Sequence, residues 1–161
     1  MTVEHVIKDT SNLTLVMTAT FNASAERVWQ LWADPRQLER WWGPPTYPAK
    51  VGEHDLVPGG KVTYVMTGPE GDQHHGWWRV VAVDERRSLE VVDGFADATG
   101  TPNPDMPTTK MLVVLSEEAG VTRMVTTSTF TSLESMEQLV SMGMEEGMRT
   151  AMGQIDAILA A

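Results

Sequence analysis

The chain ends in a long apolar stretch that decides the fold: residues 133–159 read LESMEQLVSMGMEEGMRTAMGQIDAIL. On a helical wheel its apolar and small residues fall on one broad face, and they are Met136, Val140, Met144, Gly147, Ala151, Ile155 and Ile158. Ser132 is a suitable N-cap for this segment. The pattern predicts one closing helix over residues 133–159, with an apolar face that other elements must cover.

Seven segments before this helix have the alternating pattern of strands, or are bounded by turn residues. They span residues 13–21, 47–56, 61–67, 76–84, 89–95, 109–116 and 121–130. Short turns such as Pro58-Gly59-Gly60 join successive strands, which favours antiparallel pairing. Two short helices are predicted after the first strand, one over residues 25–33 and one that begins at Asp34-Pro35.

This order of elements predicts an α+β fold. A curved, seven-stranded antiparallel sheet wraps around the long C-terminal helix, because no other arrangement hides so long an apolar face. The 161 residues suit a single domain. We expect an N-terminal extension over residues 1–11 and a core over about residues 12–160.

Composition excludes several classes of protein. The chain has no cysteine, so disulfide scaffolds and thiolate chemistry are excluded, and a reducing cytoplasm is the expected location. Its formal charge of -10 repels nucleic acids and anionic membrane surfaces. No apolar run reaches the length of a membrane span. We therefore expect a cytoplasmic protein, monomeric or weakly dimeric, that binds neither nucleic acid nor membrane.

Two glycines lie on the apolar face of the predicted closing helix. Gly143 and Gly147 each cost about 1 kcal/mol of helix propensity relative to alanine, so something must compensate for them. One interpretation is close contact between helix and sheet, and the other is space left for a ligand. Both stay open on the sequence alone.

Several motifs together resemble a known superfamily. These are the segment from Phe21 to Trp29, Trp41-Trp42-Gly43-Pro44, Pro58-Gly59-Gly60 and a final helix that carries Gly147. The chain resembles the START-like (SRPBCC, helix-grip) superfamily, and within it the branch similar to the activator of the heat-shock-protein-90 ATPase. The resemblance implies the helix-grip fold and an apolar cavity, but no fixed reaction. Where many relatives have Gly-Trp in the last helix, this chain has Gly147-Met148.

Methionine and tryptophan supply the candidate ligand-binding residues. Eleven methionines are many for this length, and flexible thioethers adapt to ligands of varied shape. Trp77 and Trp78 are adjacent on a strand and therefore point to opposite faces, so one of them faces inward. The predicted ligand-binding residues are Trp41, Trp42, Trp77, Trp78, Met136, Val140, Met144 and Met148.

Few titratable residues are candidates for catalysis, and we assign none a catalytic role. They are His74, His75, Arg79, Asp93 and Arg123. Adjacent strand residues such as His74 and His75 diverge and cannot chelate one metal, so no metal site is predicted. The chain has no phosphate-binding loop, no dinucleotide fingerprint and no Ser-His-acid arrangement, and we predict no cofactor.

Three functions remain open. The leading hypothesis is binding of a small hydrophobic molecule between the C-terminal helix and the sheet, without turnover. The second is a cyclase- or hydrolase-type enzyme that acts on a polyketide-like or aromatic substrate in the same cavity. The third, implied by the resemblance, is a regulator of a chaperone ATPase that acts through its surface; the companion N-terminal domain of the eukaryotic co-chaperone is not expected in this chain.

Overall fold

Every pair of neighbouring strands in the sheet is antiparallel, and the strand order is β1-β2-β8-β7-β6-β5-β4-β3. The computed structural model describes residues 3–160. Its strands are β1 (Val3–Asp9), β2 (Thr14–Phe21), β3 (Ala49–His54), β4 (Lys61–Thr67), β5 (Gln73–Asp84), β6 (Ser88–Ala96), β7 (Thr109–Glu118) and β8 (Val121–Phe130). Its helices are α1 (Ala25–Ala33), α2 (Pro35–Leu38), α3 (Leu133–Ser141), α4 (Met144–Met152) and α5 (Ile155–Ala160). The predicted α+β fold is confirmed.

The sheet has eight strands, whereas the sequence predicts seven. The additional strand is β1, which lies in the segment expected to be an N-terminal extension. It forms one edge of the sheet and pairs with β2, for example Val6 with Met17. Most of its side chains are exposed, and only Val3 is buried. Edge strands need one backbone partner and little apolar surface, so the polar sequence of β1 gave no strand signal.

The closing helix is not continuous, which corrects the prediction of one helix over residues 133–159. It consists of α3, α4 and α5, with breaks at Gly143 and Gly153. Gly143 has φ of 90°, a left-handed conformation that glycine adopts without steric cost and that ends α3. A helical wheel assumes constant dihedral angles, so it could not show this change of direction.

The two short helices after β2 are confirmed, and side-chain caps explain where they begin. The Ser24 side chain accepts a hydrogen bond from the Arg27 N–H at the start of α1. The Asp34 side chain accepts one from the Arg36 N–H, and Pro35 occupies the first turn of α2. Each cap satisfies a backbone donor that has no partner inside the helix.

The core lies between the inner face of the sheet and the helices. Alternate residues of β7 show the pattern, since Met111, Val113 and Leu115 are buried while Leu112 and Val114 are exposed. Within residues 3–160, none of the helices combines the length and apolar character that crossing a membrane requires.

Candidate functional site

A cavity of about 500 Å³ lies between the inner face of the sheet and helices α3 and α4. This volume is in the range of small-molecule sites, roughly 300–1,000 Å³. Strands β4 to β8 form its floor and sides, and the segment after α2 forms part of its rim. Its lining residues are Trp41, Trp42, Pro44, Tyr47, Tyr64, Met66, His74, His75, Asp93, Gly94, Phe95, Pro107, Thr109, Met111, Ser128, Leu139, Met142, Gly143, Met144, Gly147, Met148, Ala151 and Met152.

Gly147 shows why the helix leaves this space open. A Cβ atom built on Gly147 would meet no atom within 4 Å, and the residue lines the cavity. Close contact between helix and sheet, one of the two interpretations of the glycines, is therefore absent at Gly147. The space that a larger side chain would fill is part of the cavity.

The Trp-Trp-Gly-Pro motif forms one wall, and two hydrogen bonds and a tight turn hold it in place. The Trp41 indole donates a hydrogen bond of 2.9 Å to the Leu31 carbonyl of α1. The Gln154 side chain donates one of 2.7 Å to the Gly43 carbonyl, which ties the wall to the C-terminal helices. A Cβ atom on Gly43 would lie 2.1 Å from the Tyr47 carbonyl oxygen, so only glycine fits at this turn.

Aromatic rings pack behind this wall. The Trp42 ring contacts the Trp78 ring edge to face, with centroids 4.9 Å apart, and it meets the Tyr64 ring in the same way at 5.8 Å. Trp32 and Trp78 are completely buried, while Trp42 lies at the cavity surface. Such edge-to-face pairs favour a defined arrangement of rings. The rings on this side of the cavity therefore pack directly against one another.

One acidic side chain, Asp93 of β6, faces the cavity. The Tyr64 hydroxyl on β4 donates a hydrogen bond of 2.7 Å to Asp93 Oδ1. Burial raises the pKa of Asp93 to about 7, although donors from Tyr64, the Gly94 N–H and Trp78 favour the ionised form and limit the rise. Burial and the nearby Asp93 charge also raise the pKa of Tyr64 well above its usual value.

Two indole N–H groups beside this pair are incompletely satisfied. The Nε1 atoms of Trp42 and Trp78 are buried, and neither makes a hydrogen bond of good geometry with the residues that the structure describes. Trp78 Nε1 is nevertheless close enough to Asp93 to lower the pKa of its carboxyl, and Trp42 Nε1 has the same effect on Tyr64. Polar groups thus gather at one end of a mostly apolar cavity.

Methionine lines much of the cavity, above all on the side formed by the helices. Six methionines contribute to the wall, namely Met66, Met111, Met142, Met144, Met148 and Met152. Four of them lie on α4 or just before it. Unbranched thioether side chains change shape at low cost, so this side of the cavity can adapt to ligands of different outline.

The two histidines of β5 reach the cavity at its rim. His74 Nε2 lies 3.1 Å from Asp72 Oδ2, and the His74 ring contacts the Tyr47 ring with centroids 5.5 Å apart. Asp72 is exposed, and its hydrogen bond with His74 lowers the pKa of its carboxyl. His74 therefore already has an acidic partner outside the cavity.

The sequence that forms this cavity is similar to that of a known protein family. Residues 22–160 match the sequence profile of the family described as Activator of Hsp90 ATPase homolog 1-like protein. The chain belongs to this family. The match includes the Trp-Trp-Gly-Pro wall, the strands that carry Tyr64 and Asp93, and helices α3 to α5.

Solved structures of similar proteins have the same fold. Protein Ms6760 from Mycobacterium smegmatis is 48% identical, with a TM-score of 0.90 over 98% of this chain and 96% of that one. A protein from Arthrobacter aurescens is also 48% identical, with a TM-score of 0.95 over 99% of this chain and 92% of that one. A protein from Staphylococcus epidermidis is 25% identical, with a TM-score of 0.82 over 99% and 94%. A comparison with curated protein sequences gives no match.

Four of the eight predicted ligand-binding residues of this family member line the cavity: Trp41, Trp42, Met144 and Met148. Four others do not. Met136 and Trp78 are buried in the core, and Val140 packs against the core from α3. Trp77 lies on the other face of the sheet, over Gly94, and donates a hydrogen bond to the Phe95 carbonyl. Trp78 is thus the member of the pair that points inward, and it lies behind the cavity wall.

Tyr64 is not among the residues that the sequence predicts for the site, and Asp93 is only one of its titratable candidates. A signal for both exists in the strand alternation. Val62, Tyr64 and Met66 share one face of β4. Leu89, Val91, Asp93 and Phe95 share one face of β6 in the same way. An acidic residue in such an apolar series indicates either a buried partner or a ligand.

Proposed function

We propose that this protein binds a small, mostly apolar molecule in the cavity between the sheet and helices α3 and α4, without converting it. The observation that carries the proposal is the open space at Gly147, where a Cβ atom would meet nothing within 4 Å. A glycine on a buried helix face is unfavourable unless the space it leaves has a use. A cavity of about 500 Å³ has room for a ring system or a short chain.

The lining supports binding in preference to catalysis. Apolar and aromatic side chains dominate it, and only a few polar groups interrupt them. Such a surface binds through the release of water from apolar area. The adaptable methionine side favours a class of ligands over one closely matched substrate. We expect the protein to act in the cytoplasm, as the lack of cysteine supports.

An enzyme that uses the same cavity is the second candidate, and Asp93 is the observation that favours it. A carboxyl with a pKa near 7 could serve as a general acid or base at neutral pH. Tyr64 would then orient it. The family description also suggests a chaperone partner. Such a partner would bind at a surface outside this cavity, and its existence stays a separate prediction.

The experiment is uptake and recovery of a probe. We would titrate the protein with 1-naphthylmethanol by calorimetry, and then extract the probe and analyse it by mass spectrometry. The proposal predicts one bound molecule per chain, recovered unchanged after long incubation. A modified product formed over several turnovers would favour the enzyme instead.

Two leucine variants locate the site. Gly147→Leu fills the open space and should weaken binding of 1-naphthylmethanol at least about tenfold, because the side chain occupies ligand volume. Thr150→Leu adds the same side chain at an exposed position of the same helix and should leave binding unchanged. Equal affinity of both variants and the wild type would place the binding site elsewhere.

A further inference from the structure

No side chain that the structure describes acts as a counter-ion to Asp93 inside the cavity. Among residues 3–160, no lysine or arginine lines the cavity, and no cation forms an ion pair with Asp93. The groups that favour its ionised form are neutral donors, from Tyr64, Trp78 and the Gly94 N–H. A buried carboxylate that is hydrogen-bonded but not paired with a cation remains costly.

The other titratable and charged groups around the cavity do not supply the missing charge. His74 lies at the rim and pairs with Asp72 on the outside. Hydrogen bonds from Thr99 and Thr101 chiefly lower the pKa of Asp97, and the neighbouring His75 adds a smaller electrostatic contribution to the same shift. From β7 and β8, the polar groups that face the cavity are Thr109 and Ser128, both neutral.

The helices do not supply a positive charge for Asp93 either. On α4, Arg149 pairs with Glu145 at 3.5 Å, and Lys8 of β1 reaches the same carboxylate at 3.4 Å. None of these three side chains lines the cavity.

Aromatic rings stand next to the unpaired carboxyl. Trp42 and Tyr64 both line the cavity, and Tyr64 contacts Asp93 directly. Aromatic faces attract cations, and the attraction grows where water is excluded. A carboxylate beside electron-rich rings is an arrangement suited to an ammonium group and unsuited to an anion. The net charge of -10 adds to this preference.

We propose that the ligand is an apolar molecule that carries one basic nitrogen, and that Asp93 binds this nitrogen as its counter-ion while the methionine side of the cavity holds the apolar part. This inference rests on the proposed function and names its ligand class. It differs from catalysis by Asp93, because the carboxylate stays bound to the ligand cation and no bond is formed or broken.

The test compares three probes with one ring system and different head groups. These are 1-naphthylmethylamine, 1-naphthylmethanol and 1-naphthoate, titrated by calorimetry near neutral pH. We expect the amine to bind at least about tenfold more tightly than the alcohol, and the naphthoate to bind least, because each change of head group adds or removes one charge interaction. Binding of the alcohol without preference for the amine would overturn this inference and leave the proposed function standing. Binding of none of the three would contradict both.

Two matched variants distinguish the effect of Asp93 from the effect of the overall negative charge of the chain. Asp93→Asn keeps the shape and the acceptor for Tyr64, and it should remove the preference for the amine over the alcohol. Asp84→Asn makes the same change of charge at an exposed residue that does not line the cavity, and it should preserve the preference. Loss of the preference in both variants, or in neither, would overturn the proposal.

The pH dependence of the wild type tests the same point without a variant. Only the ionised carboxyl pairs with an ammonium group, so the affinity for the amine should fall about tenfold per pH unit below pH 7 as the competent fraction falls. The alcohol should show no such loss. An affinity for the amine that stays constant from about pH 5.5 to pH 8 would contradict a role for the carboxylate.

Discussion

The Tyr64 hydroxyl lies 2.7 Å from Asp93 Oδ1, and this hydrogen bond joins two strands that are not neighbours in the sheet. Strand β5 lies between them, and its Trp78 is paired with Asp93 across the backbone ladder. The bond fixes the carboxyl at the polar end of the cavity. Because the carboxyl is buried there, its ionisation and the stability of the fold are linked.

The first prediction concerns stability and pH. The pKa of Asp93 is about 7 in the fold and 3.8 ordinarily, so the folded state binds the proton more tightly than the unfolded state. The stability that this carboxyl contributes is therefore complete below about pH 4 and is lost as the pH rises through 7. Between about pH 5 and pH 8, the wild type should lose about 2 to 3 kcal/mol of unfolding free energy relative to Asp93→Asn.

Urea unfolding of both proteins at the two pH values measures this difference. Asp84→Asn is the control, since its side chain is exposed. A constant difference between wild type and Asp93→Asn at both pH values would mean that the carboxyl is not desolvated.

The second prediction concerns two glycines that differ in the space around them. Gly43→Ala places a Cβ atom 2.1 Å from the Tyr47 carbonyl oxygen, and relief of the clash should cost about 1 to 3 kcal/mol or more. Gly147→Ala meets nothing within 4 Å and should stabilise the helix by about 1 kcal/mol. Thermal unfolding should shift in opposite directions for the two variants. Destabilisation by Gly147→Ala would show that helix and sheet are in contact there.

Much of the fold is predictable because its signals are local. The start of α1 is set by Ser24 and that of α2 by Asp34-Pro35, and these residues act within one helical turn. The sequence predicts strand β4 with its observed bounds, because Pro58-Gly59-Gly60 precedes it and Gly68-Pro69 follows it. Turn residues of this kind delimit strands whatever the tertiary structure around them.

The features that the sequence does not predict depend on tertiary context. Strand β1 is defined by its backbone pairing with β2, which a polar sequence such as residues 3–9 does not reveal. The break at Gly143 lies inside a periodic apolar series, where the same glycine could equally continue the helix at a cost. Tyr64 and Asp93 are 29 residues apart, so only the sheet register brings them together.

The third prediction introduces a charge into the methionine side of the cavity. Met148→Lys should sharply reduce binding of 1-naphthylmethanol, because the ammonium group and its water occupy space that the apolar ring needs. Leu133→Lys adds the same side chain at an exposed position of α3 that does not line the cavity, and binding should not change. Calorimetry on both variants checks this. Equal binding to the two variants would show that Met148 is not part of the binding site.

The fourth prediction tests most directly whether this cavity is the binding site, and it uses the methionine methyl groups as reporters. With methyl-labelled methionine, nuclear Overhauser effects between 1-naphthylmethanol and the protein show which side chains contact the probe. We predict contacts with Met144, Met148 and Met152, which line the cavity, and none with Met17 and Met124, which are buried elsewhere in the core. Contacts with none of the three lining methyl groups, while the probe is bound, would contradict the account.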